Sequence, residues 1–306
     1  MRVLVTGGAG FIGRGVVGAL LQRGDFVTAL DDLSNGSEAN VAEFRRRTGF
    51  HFTRGDVSDA ATVSSAFRDA NRCVHLAAII EVQRSIDDPR RTHQVNIAGT
   101  LNVLEECRKR DVPLTVVSTC MVYDTAGDRG IAEDHPVNPA SPYAATKLAA
   151  DVLSLSYRQA YGLPVAVVRP FNTYGPFQKS NQEGGVVAVF LRREREGKPL
   201  QVFGDGTQTR DLMYVDDCVD LILRASDAKD VGGVVNGGTG KDLTINDLAR
   251  KIAGPDGRIE HVPHPHPQSE IRRLRCDPTK ARNVLGWEPK MSLEEGVGRT
   301  RERMSR

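Results

Sequence analysis

A chain of 306 residues can bury a sizeable core, and 40% apolar with 26% charged residues is an ordinary globular composition. With 41 basic and 39 acidic residues, the formal charge of +2 gives no pull toward nucleic acid or an anionic membrane. Five scattered cysteines (Cys73, Cys107, Cys120, Cys218 and Cys276) lack metal-ligand spacing and suit free thiols in a reducing compartment, so no metal is expected. The first strand starts at Arg2 and no apolar run approaches a membrane span, which predicts a cytoplasmic protein. Arginine clusters at 45–47 and 192–195 read as solvated helix faces.

Arg2–Thr6 is a short continuous apolar run, as expected of a parallel strand buried on both faces. It leads into Gly7-Gly8-Ala9-Gly10-Phe11-Ile12-Gly13 and then a helical pattern through Val16, Val17, Leu20 and Leu21. Gly7 permits a tight turn, Gly10 lets backbone approach a pyrophosphate, and Gly13 allows close helix–strand packing. The helix start supplies N–H donors and a positive dipole end. A second strand, Phe26–Asp31, ends in an acid that can accept from adenosine ribose hydroxyls and repel a 2′-phosphate, selecting NAD over NADP. No Arg or Lys lies in Asp32-Leu33-Ser34-Asn35-Gly36 to oppose this. A third strand over 50–54 leads to Asp56 and Val57, where a carboxylate can meet the adenine amino group or cap the next helix. The fourth, 73–78, ends in Leu76, Ala77 and Ala78, where a cofactor can lie against backbone, and His75 is expected to pack inside. The fifth covers 114–119. Five parallel strands with crossover helices define an α/β, Rossmann-like doubly wound sheet with its site at the strand C-terminal ends.

Ser141-Pro142-Tyr143-Ala144-Ala145-Thr146-Lys147 places a phenol and an ammonium four residues apart on one face of a helix. A neighbouring positive charge favours the ionised phenol and lowers a pKa of about 10, which would make Tyr143 a general base. Spacing alone is common on solvated helices. Its meaning comes from the glycine-rich turn at the other end of the domain.

The ordered pieces 7–13, Gly55-Asp56-Val57, His75–Ala78, Asn96–Thr100, Ser118–Tyr123, 141–147, Arg169–Pro176, Gly204–Asp211 and Leu285–Pro289 span nearly the whole chain. In them the sequence resembles the extended short-chain dehydrogenase/reductase superfamily, in its NAD-dependent nucleotide-sugar epimerase/dehydratase branch. The resemblance implies a Thr119/Tyr143/Lys147 triad. Tyr143 takes the proton of the sugar C4 hydroxyl, Lys147 holds the nicotinamide ribose, and Thr119 bonds the developing keto oxygen. It adds Asn96, Val117 and Pro170 to the cofactor contacts. Pro170 and Phe171 flank the nicotinamide, Asn172 donates to the substrate pyrophosphate, and Arg210 clamps phosphate. Val187, Gln201, Phe203 and Arg272 complete the nucleotide side. The domains implied are 1–171 for NAD, with returns from about 211–238, and an interleaved substrate lobe over 172–306 with a helix beginning near Thr244. Subunits of the family generally pair through two helices, here about 95–110 and 144–160, so a homodimer is expected.

The residues after Thr119 discriminate between reactions. Dehydratases of the family carry an Asp-Glu pair there, and decarboxylases typically keep a Glu at the second place, whereas this chain has Cys120 and Met121. A thioether cannot transfer a proton, which favours a UDP-sugar 4-epimerase of the glucose/galactose or glucuronate/galacturonate class. Cys120 together with Glu81, on a loop that overhangs the sugar in this family, leaves room for a dehydratase, decarboxylase or apiose-synthase-like enzyme. A non-catalytic NAD-binding regulator is a third possibility, opposed by the intact triad. Asp124 replaces a usual Gly, and Gln268-Ser269 precede Glu270 where many relatives have Arg-x-Gly, which bears on nucleotide-base recognition. His261-Val-Pro-His264-Pro-His266-Pro reads as an extended surface loop because its prolines interleave the histidines.

Overall fold

Arg2–Thr6 forms β1, buried at every residue after the first. In the computed structural model, which describes residues 1–181 and 184–304, the central strands continue as β2 (Phe26–Asp31), β3 (Phe50–Arg54), β4 (Arg72–His75), β5 (Leu114–Val117) and β6 (Val165–Pro170). There follow β7 (Asn172–Tyr174), β8 (Leu200–Phe203), β9 (Thr209–Tyr214), β10 (Val234–Gly237), β11 (Asp242–Thr244), β12 (Ile259–Val262) and β13 (Arg273–Leu274). The helices are α1 (Phe11–Gln22), α2 (Ala60–Phe67), α3 (Val82–Asp87), α4 (Pro89–His93), α5 (Gly99–Arg110) and α6 (Pro142–Tyr161). After them come α7 (Val186–Arg195), α8 (Val215–Asp227), α9 (Ile245–Ala253), α10 (Thr279–Leu285) and α11 (Leu293–Met304).

The central sheet has seven strands in the order β10-β6-β5-β4-β1-β2-β3, every neighbouring pair parallel. The five expected strands are all present, and β6 and β10 extend the sheet beyond them. Val3 and Val5 face one core with α1 and α8, while Leu4 and Leu30 face another with α2, α5 and α6. Strand order reverses between β1 and β4, which opens a crevice at the strand C-terminal ends. There β4 stops at His75 and β5 at Val117, two or three residues short of the expected ends, so 76–78 and 118–119 are free to turn along that crevice.

The smaller lobe is built from β9, flanked by β11 and β13 and joined by β7, and from the β8–β12 pair. Its hub is Asp211, fully buried on β9. The carboxylate accepts from Thr239 N at 2.8 Å, Thr239 Oγ1 at 2.6 Å, Gly240 N at 2.9 Å and Cys276 N at 3.1 Å. Trp287, also fully buried, donates Nε1 to Asp217 O at 3.1 Å and fastens the C-terminal segment to α8. Thr244 caps α9 by accepting from Asp247 N, as the helix start expected there requires. Asp211→Ala leaves three backbone N–H donors, of Thr239, Gly240 and Cys276, without an acceptor. It should destabilise the chain by about 3 kcal/mol or more, read as a lower urea midpoint with an unchanged slope.

Candidate active site

The crevice deepens into one cavity of about 990 Å³ that runs from the glycine-rich turn, past the ends of β4 and β5, into the smaller lobe. At its first end α1 begins at Phe11 with neither a side-chain cap nor an acid in its first turn, so its leading N–H groups are free for an anion. Gly7 sits at φ +70, and a Cβ there would lie 2.7 Å from Ala77 N. A Cβ on Gly13 would lie 2.0 Å from Gly7 O, so only glycine lets turn and helix meet this closely. Gly7, Gly10, Phe11, Ile12 and Gly13 all face the cavity, as do Leu76, Ala77, Ala78, Val117 and Pro170.

Farther along, Asp31 is held by backbone N–H donors from Ala9 at 2.9 Å and Leu33 at 2.8 Å. Burial pushes its carboxyl up, and these N–H groups oppose that rise. Its remaining lone pairs, with Asp32, Asn35 and Gly36, line the same wall. Asp56 and Val57 lie there too, but the cap of α2 is Asp59, whose side chain accepts from Ala61 N. Asp56 instead accepts from Ser58 N and pairs with Arg91 on α4. Burial works against its charge, and Arg91 with Ser58 outweighs it, holding Asp56 below the usual carboxylate range. Arg91 is a cation at the adenosine end that local sequence did not reveal. It is committed to Asp56 and lies 3.9 Å from Asp32.

Asn96 does not line the cavity. A π turn over Gln94–Ala98 joins α4 to α5 and directs Asn96 inward, where it is 1% exposed. It accepts from Ile79 N at 2.8 Å and donates to Ile79 O and Thr146 Oγ1, each at 3.0 Å. Asn96 thus ties the loop after β4 to α6 rather than touching a cofactor.

The expected triad lies at the mouth of β5. Ser141 caps α6 by accepting from Ala144 N, Pro142 fills the first turn, and Ser85 Oγ receives Tyr143 N–H at 3.0 Å. Thr119 pulls the Tyr143 phenol down and accepts from Met121 N at 3.1 Å. Lys147 is buried and donates Nζ to Val117 O at 2.8 Å. The expected lowering of the Tyr143 pKa by Lys147 is not what the protein alone achieves: burial pushes the phenol up to about 12, against the pull of Thr119. Burial also lowers Lys147, and Asp151, one turn along α6, opposes that.

Glu81, on the loop after β4, is buried. Its side chain is 4% exposed, its Oε2 has no hydrogen-bond partner, and the nearest cations, Arg84 and Lys179, stand 3.8 and 3.9 Å away. Glu81, Cys120 and Met121 all line the cavity beside Tyr143. Burial pushes the Cys120 thiol up to about 12, so it stays a neutral thiol and is not a thiolate base.

Toward the smaller lobe, Phe171, Asn172, Val187, Gln201, Phe203 and Arg210 line the wall. Asn172 Nδ2 is buried without a partner, a donor waiting for an acceptor. Arg272 is elsewhere: it is exposed and reaches Asp205 at 3.4 Å, outside the cavity. Arg192 and Arg193, expected on a solvated face, line the cavity instead, and Arg192 Nε is buried without a partner. Gln178, with Oε1 buried and unpaired, and the inward placement of His264 and His266 were not anticipated either. The histidine loop faces inward at His264 and His266, and no cluster fit to hold a metal occurs among the described residues.

A dinucleotide fits the first half of this cavity: a glycine turn, an uncapped helix start and a fixed acid lie in the order its parts require. The chain belongs to the NAD dependent epimerase/dehydratase family, whose model matches residues 3–238. It is therefore an NAD-dependent enzyme. It is 41% identical over 306 residues to a UDP-glucose 4-epimerase of Mycolicibacterium smegmatis, covering 99% of this chain and 98% of that protein. Among solved structures, Pal from Bacillus thuringiensis superposes with a TM-score of 0.96 at 49% identity, covering 100% of this chain and 99% of the other. A Thermotoga maritima UDP-glucose 4-epimerase solved with UDP-glucose gives 0.93 at 35% identity, over 100% and 99% of the two chains.

Gly13→Ala should weaken NAD binding at least about tenfold, because the new methyl must push Gly7 away from the pyrophosphate turn. Quenching of protein fluorescence by added NAD measures this.

Proposed function

We propose that the protein is a UDP-sugar 4-epimerase that works through a transient 4-keto sugar. One observation carries this: Thr119, Tyr143 and Lys147 line a single cavity between the glycine-rich turn and the wall that holds Asn172 and Arg210. NAD bound in the cradle supplies the acceptor, and later the donor, of the C4 hydride. Tyr143 Oη takes the C4 hydroxyl proton, and Thr119 Oγ1 hydrogen-bonds the same sugar oxygen. Lys147 Nζ, held by Val117 O, keeps its charge on the face of α6 that carries the phenol. Asn172 Nδ2 and Arg210 receive the diphosphate, and Val187, Gln201 and Phe203 the base. The 4-keto sugar turns over between these two anchors and takes hydride on its other face, a step that requires no further acid or base. Residues 1–171 with 211–238 serve the cofactor, and 172–306 serve the sugar nucleotide.

A second assignment, dehydration, is favoured by Glu81. A buried carboxylate oxygen that accepts no hydrogen bond is costly to keep, and its place beside the sugar suits removal of a carbon-bound proton. The Cys120 thiol would then protonate the departing hydroxyl.

Incubation with UDP-glucose, UDP-glucuronate, UDP-GlcNAc and dTDP-glucose, followed by NMR, tests both. Inversion at C4 that survives Glu81→Gln and Cys120→Ala supports epimerisation. Loss of water, abolished by either substitution, replaces it with dehydration. Tyr143→Phe should lower turnover by about 10²–10⁴-fold in either case while leaving NAD affinity unchanged.

The apolar side chains Leu101 on α5 and Val152 on α6 are 40% and 60% exposed, which supports pairing of two subunits through these helices. Light scattering at micromolar concentration should give a dimeric mass, and a monomeric one would count against the pairing.

A further inference from the structure

We infer that Asp151 is a positioning residue for the reaction: through the Ser118 hydroxyl it sets the register in which Thr119 meets Tyr143. The inference rests on the chemistry proposed above for Thr119, Tyr143 and Lys147.

β5 ends at Val117, and a bond from Ser118 N to Val168 O at 2.7 Å carries its pairing with β6 one residue further. Thr119 comes next, in extended backbone at φ −157 and ψ 151. α6 meets this strand end with one stripe of side chains. Tyr143, Lys147 and Asp151 are each four residues apart, so they stand one above another on a single face. Lys147 Nζ donates to Val117 O at 2.8 Å, and Asp151 Oδ2 accepts from Ser118 Oγ at 2.8 Å. Two successive residues of the strand end are thus tied to two successive turns of the helix. Thr119 is the third, and its hydroxyl pulls the Tyr143 phenol down.

Lys147 cannot fix this register alone. An ammonium on a flexible stem is a point charge that tolerates many directions of approach, and one bond leaves the strand end free to turn about it. A second bond, one residue on, removes that freedom. Its acceptor is itself immobilised. Asp151 is 0% exposed, and the same Oδ2 accepts from Arg169 Nε on β6 at 2.9 Å. Arg169 stacks over Tyr123, 4.8 Å from the ring centroid, and Tyr123 Oη donates to Asn236 Oδ1 on β10 at 2.8 Å. Ser118 lines the cavity, whereas Asp151, Arg169, Tyr123 and Asn236 do not, so Asp151 acts through other residues and touches no ligand.

Electrostatics gives no single reason for a carboxylate here. Its charge favours the Lys147 ammonium and disfavours the Tyr143 phenolate, opposite senses on two members of one set. Its Oδ1 is buried without a hydrogen-bond partner, which costs stability. The bond to Ser118 is the contribution that carries no such conflict.

The test is steady-state kinetics on the NAD-loaded full chain, with whichever of UDP-glucose, UDP-glucuronate, UDP-GlcNAc and dTDP-glucose it converts. Ser118→Ala removes the tie and leaves the Asp151–Arg169 pair and the Lys147 charge in place. It should lower kcat about tenfold or more, with KM and NAD affinity held within about twofold, because misplacing Thr119 is felt where charge moves rather than in binding. Asp151→Asn should lower kcat at least as far, and the double substitution no further than Asp151→Asn alone, since both act through one bond. Where Asp151→Asn yields no folded protein, Ser118→Ala decides by itself. An unchanged kcat in Ser118→Ala, a lower urea midpoint with kcat intact, a loss carried by KM, or losses that add in the double variant each overturn the inference while the nucleotide-sugar assignment stands. Conversion of none of the four nucleotide sugars by the unsubstituted chain overturns both.

Discussion

Everything at this site follows from burying a phenol and an ammonium on adjacent turns of one helix. Neither Tyr143 nor Lys147 can exchange freely with water, so burial opposes charge on both. The surroundings answer with charge of their own. Asp151, fully buried one turn beyond Lys147, accepts from Ser118 Oγ at 2.8 Å and Arg169 Nε at 2.9 Å, and Arg169 stacks over Tyr123 4.8 Å from its centroid. Two buried cations face one buried anion, yet at the phenol the Asp151 carboxylate acts with burial to oppose ionisation. This setting, built from β5, β6 and α6 together, keeps the phenol neutral in the protein alone.

The same cavity divides by chemistry along its length. The cradle end offers backbone donors and a fixed acid, with no cation free of a carboxylate partner described there, Arg91 being held by Asp56. The far end offers unpaired side-chain groups: Asn172 Nδ2, Gln178 Oε1 and Arg192 Nε. Between them lies Glu81, whose unpaired oxygen is the feature least at home in a plain epimerase.

What could be read from sequence was local in origin. The glycine turn, the serine cap with its proline, and the spacing of Tyr143 from Lys147 each act within a few residues, and their geometry follows from backbone rules. Asn96 and Arg272 were misplaced because side-chain direction there depends on a π turn and on an exposed ion pair with Asp205. Arg192 and Arg193 sit in a charged run that composition alone assigns to solvent, yet α7 turns them toward the cavity. His264 looked like part of a loose proline-rich strap. Only the packing of β8 and β12 brings it to Phe203 and Glu270.

The path of the chain between the two lobes has a consequence for how such a protein can change. From β6 it passes to β7 in the smaller lobe, comes back through α8 and β10, and leaves again at β11. Neither half is a continuous stretch that could be cut out, exchanged with another gene or expressed by itself. New specificities must therefore arise in place, by substitution in loops such as 76–81 and 263–270, while the repeated crossings hold the two walls of the cleft in register.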